Sequence, residues 1–595
     1  MTVATTDQLK NLIETYQRHR SNYRAGGISE FQLRMQFVDP LFIAMGWDVR
    51  NERGYAEAYK DVVHEDAVTV GTATKAPDYA FRVGGGRKFF LETKRPSIDI
   101  TSEPEPTYQL RRYAWSAKLP LSILTNFEHL AVYDTRVKPN QNDPASTARV
   151  MLIHYTEYLD RWDEIAGIFG LESIRMGSFD EYAESARTKR GTAEVDDAFL
   201  ADLEHWREML ARNIALRNGG LTQRELNYAV QITIDRIIFL RICEDRGIEE
   251  YGRLQQLQSG HNLYGRLQDL YRQADERYNS GLFHFRAESG RGGEPDELTT
   301  SLWIDDSVLK DIFKNLYYPH SPYEFSALPA DILGQIYERF LGSVIRVGPS
   351  GKRAWVEEKP EVRKAGGVYY TPTYIVDDIV EHTVGKLLEG KTARQVARLK
   401  ILDPACGSGS FLIGAYQYLL DWHQDWYVED GPENHSKVLY QGQAGEWRLT
   451  TAERRRILLN NIYGVDIDQQ AVEVTKLSLL LKVLEGETGE SLTRQLQFSY
   501  KEQALPDLRK NIRCGNSLIG PDFYQNTQLG LVGFDEEERH RINVFDWKNE
   551  FKDIFDGNNP GFDAVIGNPP YIRIQQMREF APNTLDYYKA HYRAA

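Results

Sequence analysis

The chain has 595 residues and a formal net charge of −14, with 41% hydrophobic, 12% aromatic and 27% charged residues. That length exceeds one hydrophobic core and predicts about three to five domains, while the apolar content excludes a disordered chain. No apolar run reaches the ~18 residues of a membrane span, and the polar start MTVATTDQLKNLIETYQRHR excludes a secretory leader. The only cysteines, Cys243, Cys406 and Cys514, lack paired spacing, which excludes a disulfide framework and a zinc site and fits a reducing cytoplasm. The acidic total argues against a simple basic coat for nucleic acid but not against DNA as a substrate, because phosphate binding depends on where Lys and Arg sit.

In chain order, apolar residues from Phe31 to Met45 recur at helical spacing and Gly46 stops them, so a helix opens the first domain. Short β-rich runs follow at 78–83, 88–94 and 121–125, with a helix around Gln109–Ala117 before the last. Phe199, Leu203, Trp206, Leu210 and Ile214 then mark a helix ending at Gly219-Gly220. A capping box, Thr222-x-x-Glu225, starts another that runs to Gly247. The polar stretch 346–367 reads as a boundary. Beyond it, strands (400–403, 461–466, 562–567) alternate with helices (from Ser410, and up to Leu484), the pattern of a parallel sheet covered on both faces. The predicted domains are 1–185, 186–345 and 346–595.

In PDYAFRVGGGRKFFLETK the glycine run turns the chain, and a hairpin centred on Gly85 sets Asp78 opposite Glu92, with Cβ atoms about 5 Å apart. Lys94 shares their face because strand side chains alternate, and a one-residue slip would separate the carboxylates. Two carboxylates bind Mg²⁺ through oxygen, and an ammonium can orient attacking water, which suits phosphodiester hydrolysis. Pro77-Asp78 with Glu92-Thr93-Lys94 resembles the PD-(D/E)xK nuclease superfamily. The resemblance adds Glu30, on the preceding helix, to the catalytic set, makes Asp78 and Glu92 the metal ligands, and matches Gln109-x-x-x-Tyr113 to a helix signature of some branches. The bland alternative is an exposed hairpin with surface charges.

A strand, glycine turn and helix start occupy Lys400–Phe411 (KILDPACGSGSF), where the backbone can approach a nucleoside-sized ligand. A second strand ends in Asp466-Ile467-Asp468, placing an acid for ribose hydroxyls, and Cys514-Gly515-Asn516-Ser517 ends a third that offers an amide to an adenine edge. Asn568-Pro569-Pro570-Tyr571 follows the strand 562–566. Its Asn oxygen and Pro569 carbonyl can accept from an exocyclic NH₂, and Tyr571 offers a stacking ring for a flipped base. A tight strand-to-helix turn and a proline loop are the structural alternatives for single motifs, but four motifs in one order are not coincidence.

Together these segments resemble the N6-adenine DNA methyltransferases that use S-adenosylmethionine. Gly366–Pro372 (GGVYYTP) matches their cofactor-covering motif, which implies the gamma-class order. The resemblance implies that Tyr370, Thr371, Asp403, Pro404, Ala405, Cys406, Gly407, Gly409, Asp466, Ile467 and Asn516 hold the cofactor. Asn568, Pro569, Pro570 and Tyr571 would hold the base. Asn516 departs from the acid that many relatives carry. Gly385–Thr392 (GKLLEGKT) fits the phosphate-loop pattern letter for letter, but its apolar spacing is that of a helix tail ended by Gly390, so no ATP site is expected.

The whole chain resembles a type IIG or IIL restriction-modification protein. The expected architecture is multidomain α/β: a PD-(D/E)xK nuclease, a helical connector and a Rossmann-like S-adenosylmethionine-dependent methyltransferase, incomplete at its C-terminal end. That implies S-adenosylmethionine and Mg²⁺ as cofactors, double-stranded DNA with a flipped adenine as partner, no membrane, and a bacterial or archaeal cytoplasm. Double-strand cleavage admits dimerisation. The alternatives are a modification-only methyltransferase of a phage-defence system with a degenerate nuclease, and a DNA-binding scaffold with neither activity. A protein glutamine methyltransferase also uses Asn-Pro-Pro-Tyr but would not need Tyr370-Thr371-Pro372 or an attached nuclease. Only 24 residues follow Tyr571, which leaves the last strand as an apolar sheet edge and predicts that the sequence is part of a longer protein.

Overall fold

In the computed structural model the described residues are 3–54, 60–64, 69–70, 73–74, 77–83, 86–187, 194–278, 281–286, 295–328, 342–358, 371–441, 447–487, 505–526, 536–556, 559–570, 575, 577–578 and 582–593. The chain divides into two compact units. One comprises Met1–Phe199, Arg241–Gln255 and Asp311–Pro329; the other comprises Leu200–Leu240, Gln256–Lys310 and Ala330–Ala595.

The first unit is built on a six-stranded mixed sheet. Helix α1 (Val3–Arg24) precedes α2 (Glu30–Leu33), which passes through a π-helical turn, Arg34–Val38, into α3 (Asp39–Ala44). The expected helix over 31–45 is therefore present with a π-turn inside it, but α1, not that helix, opens the unit. Ser29 caps α2 reciprocally with Gln32. The strands are β1 (Val62–His64), the short pair β2 (Thr69–Val70) and β3 (Ala73–Thr74), β4 (Tyr79–Val83) and β5 (Gly86–Thr93). After α4 (Pro104–Ser116) come β6 (Leu121–Thr125), β7 (His129–Asp134) and β8 (Arg149–His154). Strand order is β1-β4-β5-β6-β7-β8, with β5 and β6 parallel and the other neighbours antiparallel. Strands β7 and β8 extend the sheet beyond the three expected.

Period-two alternation buries both faces. Tyr79, Phe81, Phe89 and Leu91 join one core cluster with α1–α3, and Ala80, Phe90 and Leu124 join another with Leu110, Tyr113 and Ala114 of α4. Phe81 and Phe89 stack with centroids 4.5 Å apart, each ring worth about 1.5–3 kcal/mol by burial. Helices α5 (Trp162–Phe169), α6 (Leu171–Arg175) and α7 (Ser178–Ser185) complete the unit's sequence-local part.

Helices α8 (Val195–Arg217) and α9 (Gln223–Asp245) contribute residues to both units. The expected capping box forms: Glu225 N–H donates to Thr222 Oγ1 at 3.2 Å and Thr222 N–H to Glu225 Oε2 at 2.8 Å. The second unit adds α10 (Leu263–Tyr278). It also holds an antiparallel hairpin, β9 (Ser343–Val347) with β10 (Ala354–Glu358), inside the stretch read from sequence as a polar boundary. Arg346 and Glu357 pair across that hairpin, so its charges are cross-strand partners rather than linker composition. The glycine/glutamate-rich run 287–294 lies outside the described residues.

The second unit's sheet is parallel: β11 (Ile401–Asp403), β14 (Ile462–Asp466), β15 (Ile512–Cys514) and β16 (Ala564–Val565), in the order β15-β14-β11-β16. Between them lie α12 (Ser410–Glu429), the hairpin β12 (Leu439–Gln441) and β13 (Trp447–Leu449), α13 (Thr451–Asn461) and α14 (Gln469–Val483). Segment 385–392 continues α11 (Thr373–Val380) through a π-turn, and Gly390, at φ +68°, ends the run; no strand leads into it. Among the described residues β16 pairs with β11 alone, and Val565 is 63% exposed, as expected of an edge. No described helix is long and apolar enough to cross a membrane.

Candidate functional site

The first constellation grows out of the β4–β5 ladder. Its register, Tyr79↔Leu91, Ala80↔Phe90 and Phe81↔Phe89, is the one the glycine turn predicts, with a bulge between Phe81 and Arg82; Gly84 and Gly85 lie outside the described residues. Asp78 stands one residue before β4 and Glu92 one before the end of β5. Asp78 Oδ2 accepts from the Thr93 N–H at 2.7 Å and from the Thr93 hydroxyl. Glu92 is 3% exposed; its Oε1 accepts from Lys94 Nζ at 2.6 Å and from Gln109 Nε2, on α4, at 3.1 Å. Its Oε2 is buried and has no hydrogen-bond partner among the described residues.

Burial, and then the facing Asp78 carboxylate, push the Glu92 carboxyl up to about 7 against the pull of Lys94. Burial opposes the Lys94 charge, but Glu92, followed by Glu30 and Asp78, more than offsets it and holds the ammonium above its ordinary value. Asp78, Glu92 and Lys94 are thus within electrostatic reach of one another, and Glu30 reaches Lys94. An orphaned buried oxygen on a carboxylate that faces a second carboxylate fits a hard divalent cation in donor chemistry. No group of three or more His, Cys, Asp or Glu side chains fit to hold a metal occurs among the described residues. Two residues hold Asp78 in roles the sequence does not reveal. Thr93, the variable position of the E-x-K run, fixes Asp78. Arg34, from the π-turn, donates to Asp78 Oδ1 at 3.0 Å.

The second constellation lies at the carboxyl ends of the parallel strands. Asp403 ends β11, is buried, and its Oδ1 accepts from Ala405 N–H at 3.0 Å. The turn Pro404–Gly409 carries Gly407 at φ +53° and Gly409 at φ +88°, the left-handed region open to glycine. A Cβ on Gly409 would lie 2.8 Å from Thr475 Cγ2 of α14, and the Thr475 hydroxyl donates to Gly407 O at 2.8 Å. Thr475, also absent from the sequence reading, therefore fixes the turn from outside.

Asp466 ends β14. Its Oδ2 accepts from Gly407 N–H and its Oδ1 from Asp468 N–H, both at 2.9 Å, so turn and acid are tied together. The Cys406 thiol is buried and, by burial and then the Asp466 and Asp403 carboxylates, held well above its ordinary value; it is a packing group, not a nucleophile. Ile467 is half exposed beside Asp466. Asn516 follows β15, but its side chain serves its own turn: Oδ1 accepts from Leu518 N–H at 3.0 Å and Nδ2 donates to Tyr588 at 3.4 Å, in helix α15 (Pro582–His591).

The loop after β16 reaches this cluster directly. Ile566 N–H donates to Leu402 O at 2.9 Å. A Cβ on Gly567 would fall 2.5 Å from Asp403 Oδ1 and would have to displace that carboxylate, which favours glycine there. Asn568, Pro569 and Pro570 then emerge exposed. Asn568 Nδ2 donates to Thr371 Oγ1 at 3.2 Å, joining two motifs that are 197 residues apart in sequence. Tyr370 and Tyr571 lie outside the described residues. Adjacent carboxylates, close-approach glycines and an exposed aliphatic side chain suit the ribose, chain and adenine ring of S-adenosylmethionine.

Residues 329–504 match the N-6 DNA methylase family, and residues 460–595 match the Eco57I restriction-modification methylase family. Over 591 residues the chain is 36% identical to the type II restriction enzyme and methyltransferase RM.Eco57I of Escherichia coli, covering 99% of this chain and 55% of that protein. The chain is thus similar, over nearly its whole length, to a type II restriction enzyme and methyltransferase. A second relative is a putative type II restriction enzyme and methyltransferase, RM.MjaORFECS2P of Methanocaldococcus jannaschii. It is 26% identical over 366 residues, covering 49% of this chain and 27% of that protein. The crystal structure of the type IIG restriction endonuclease BpuSI matches with 13% identity and a TM-score of 0.29, over 93% of this chain and 47% of that one. The chain thus spans about half the length of the first of these relatives. The match of residues 329–504 to the N-6 DNA methylase family implies S-adenosylmethionine as methyl donor.

Proposed function

We propose that the second unit methylates the N6 atom of an adenine flipped out of duplex DNA, and that the first unit hydrolyses DNA at a PD-(D/E)xK centre with Mg²⁺. The observation that most supports the reading is the hydrogen bond from Asn568 Nδ2 to Thr371 Oγ1 at 3.2 Å, together with the close passage of Gly567 by Asp403. Bound S-adenosylmethionine supplies an electrophilic methyl carbon. Asn568 Oδ1 and the Pro569 carbonyl would accept the two N6 hydrogens and turn the nitrogen lone pair out of the ring, so that N6 could attack the methyl carbon in line as the sulfur–methyl bond breaks to leave a neutral thioether, with one N6 proton passing to solvent. Thr371 keeps the Asn568 amide oriented with its oxygen toward the base. Asp466 takes the ribose hydroxyls, and Ile467 packs on the adenine ring.

In the first unit, Asp78 and Glu92 would hold Mg²⁺, which stabilises charge developing on the phosphate. Lys94, pinned to Glu92, orients the attacking water, and Glu30 adds negative charge nearby. Neither reaction consumes a nucleoside triphosphate. The alternative of a modification-only enzyme draws on one observation, the Arg34 guanidinium on Asp78. Supercoiled plasmid incubated with radiolabelled donor, with and without Mg²⁺, separates the readings. Labelled DNA and Mg²⁺-dependent nicking, with nicking lost in Asp78→Asn, is the expected outcome. Label without nicking would leave the modification-only enzyme, and neither would leave a scaffold.

A further inference from the structure

Arg34 is the first residue of the π-turn, a device that displaces a helical face by one residue and recurs at functional sites. From that turn the helix grips the start of β4 twice. Arg34 donates to Asp78 Oδ1, and Asp39 accepts the Tyr79 hydroxyl at 2.6 Å. The Arg34 side chain is 15% exposed and that of Asp78 17%, so the pair is largely withdrawn from solvent and weakly screened. Asp78 Oδ2 is already taken twice by Thr93, which makes Oδ1 its cation-facing oxygen. Across the ladder, Glu92 Oε2 is buried without a partner. Asp78 Oδ1 therefore carries a resident cation, while Glu92, held by Lys94 through Oε1, keeps Oε2 as an empty acceptor.

We propose that Arg34 is a built-in counter-ion of this carboxylate pair, and that a divalent cation enters by displacing its guanidinium from Asp78 Oδ1. The proposal rests on reading Asp78 and Glu92 as metal ligands. Arg34 then sets the threshold for metal loading: it steadies two facing carboxylates when no metal is bound and competes with the metal for one of them.

The test is calorimetric titration of the chain with Ca²⁺ alone, without DNA, for wild type, Glu92→Gln and Arg34→Met. Methionine keeps the aliphatic stem and removes the charge. Arg34→Met is expected to bind Ca²⁺ about tenfold more tightly than wild type, the scale of a partly buried charge pair. It is also expected to melt at lower temperature in EDTA and to recover in saturating Ca²⁺. Wild-type affinity in Arg34→Met, with Glu92→Gln deficient, overturns the role of Arg34 and leaves the metal centre standing. No Ca²⁺ binding by wild type, or full binding by Glu92→Gln, overturns the metal centre itself. Should Arg34→Met fail to fold in EDTA, folding restored by Ca²⁺ supports the proposal, and failure to restore it counts against it.

Discussion

Glu92 holds a charge that its surroundings resist. With its carboxyl pushed up to about 7, the folded chain keeps a proton at pH values where the unfolded chain has released it. The sign follows: the contribution of Glu92 to metal-free stability is full below its unfolded value, near 4.5, and is lost as pH rises through about 7. Melting in EDTA is expected to show this decline between pH 5 and about 7, with a shallower slope in Glu92→Gln and a partial reversal by Mg²⁺ at the alkaline end; identical slopes for the two proteins would remove Glu92 as the cause. At the other site a side chain at Gly567 would have to displace the Asp403 carboxylate. Gly567→Ala is expected to lower methyl transfer at least about tenfold, because misplacing a positioned group by ~1 Å is costly, with melting shifted little; unchanged kcat would show that the loop relaxes freely. Asp78, Glu92 and Lys94 were legible because glycine fixes a register and a register fixes faces. Arg34 and Thr475 were not, because each reaches its site from an element distant in sequence and no local pattern marks where it points.

Elements were readable where a single interaction or a wide apolar stripe defines them. The Thr222–Glu225 box begins α9 as the sequence indicates, and Thr222→Ala is expected to destabilise the chain by about 1 kcal/mol in urea unfolding, against near zero for the partly exposed Gln223→Ala. The alternation of strand and helix after Ser410 gave the parallel sheet. Helix α1 was missed because its buried residues, Leu9, Ile13, Tyr16 and Tyr23, form a narrow stripe in a strongly polar helix. Strand β7 was missed because its buried run lacks alternation, which leaves strand and buried helix indistinguishable over six residues. The hairpin of β9 and β10 hid behind charges that pair across the strands.

At the scale of the whole molecule, each constellation is assembled from residues of one unit: Asp78, Glu92, Lys94 and Arg34 in the first, Asp403, Asp466, Thr371 and Asn568 in the second. Under the proposed function their chemistries need not share a catalytic group. Asp78→Asn is therefore expected to abolish Mg²⁺-dependent cleavage while methylation continues, and Asn568→Ala to do the reverse; a variant that loses both would place the two reactions on one obligatory pathway. The measurement that bears most directly on the methyl-transfer site is mass spectrometric quantification of N6-methyladenine in DNA treated with the protein and S-adenosylmethionine. Wild type is expected to produce it, and Asn568→Ala to fall about 100-fold or more in rate while still binding the donor. Wild-type rates in Asn568→Ala, or methyl groups recovered on any atom other than adenine N6, would contradict the account.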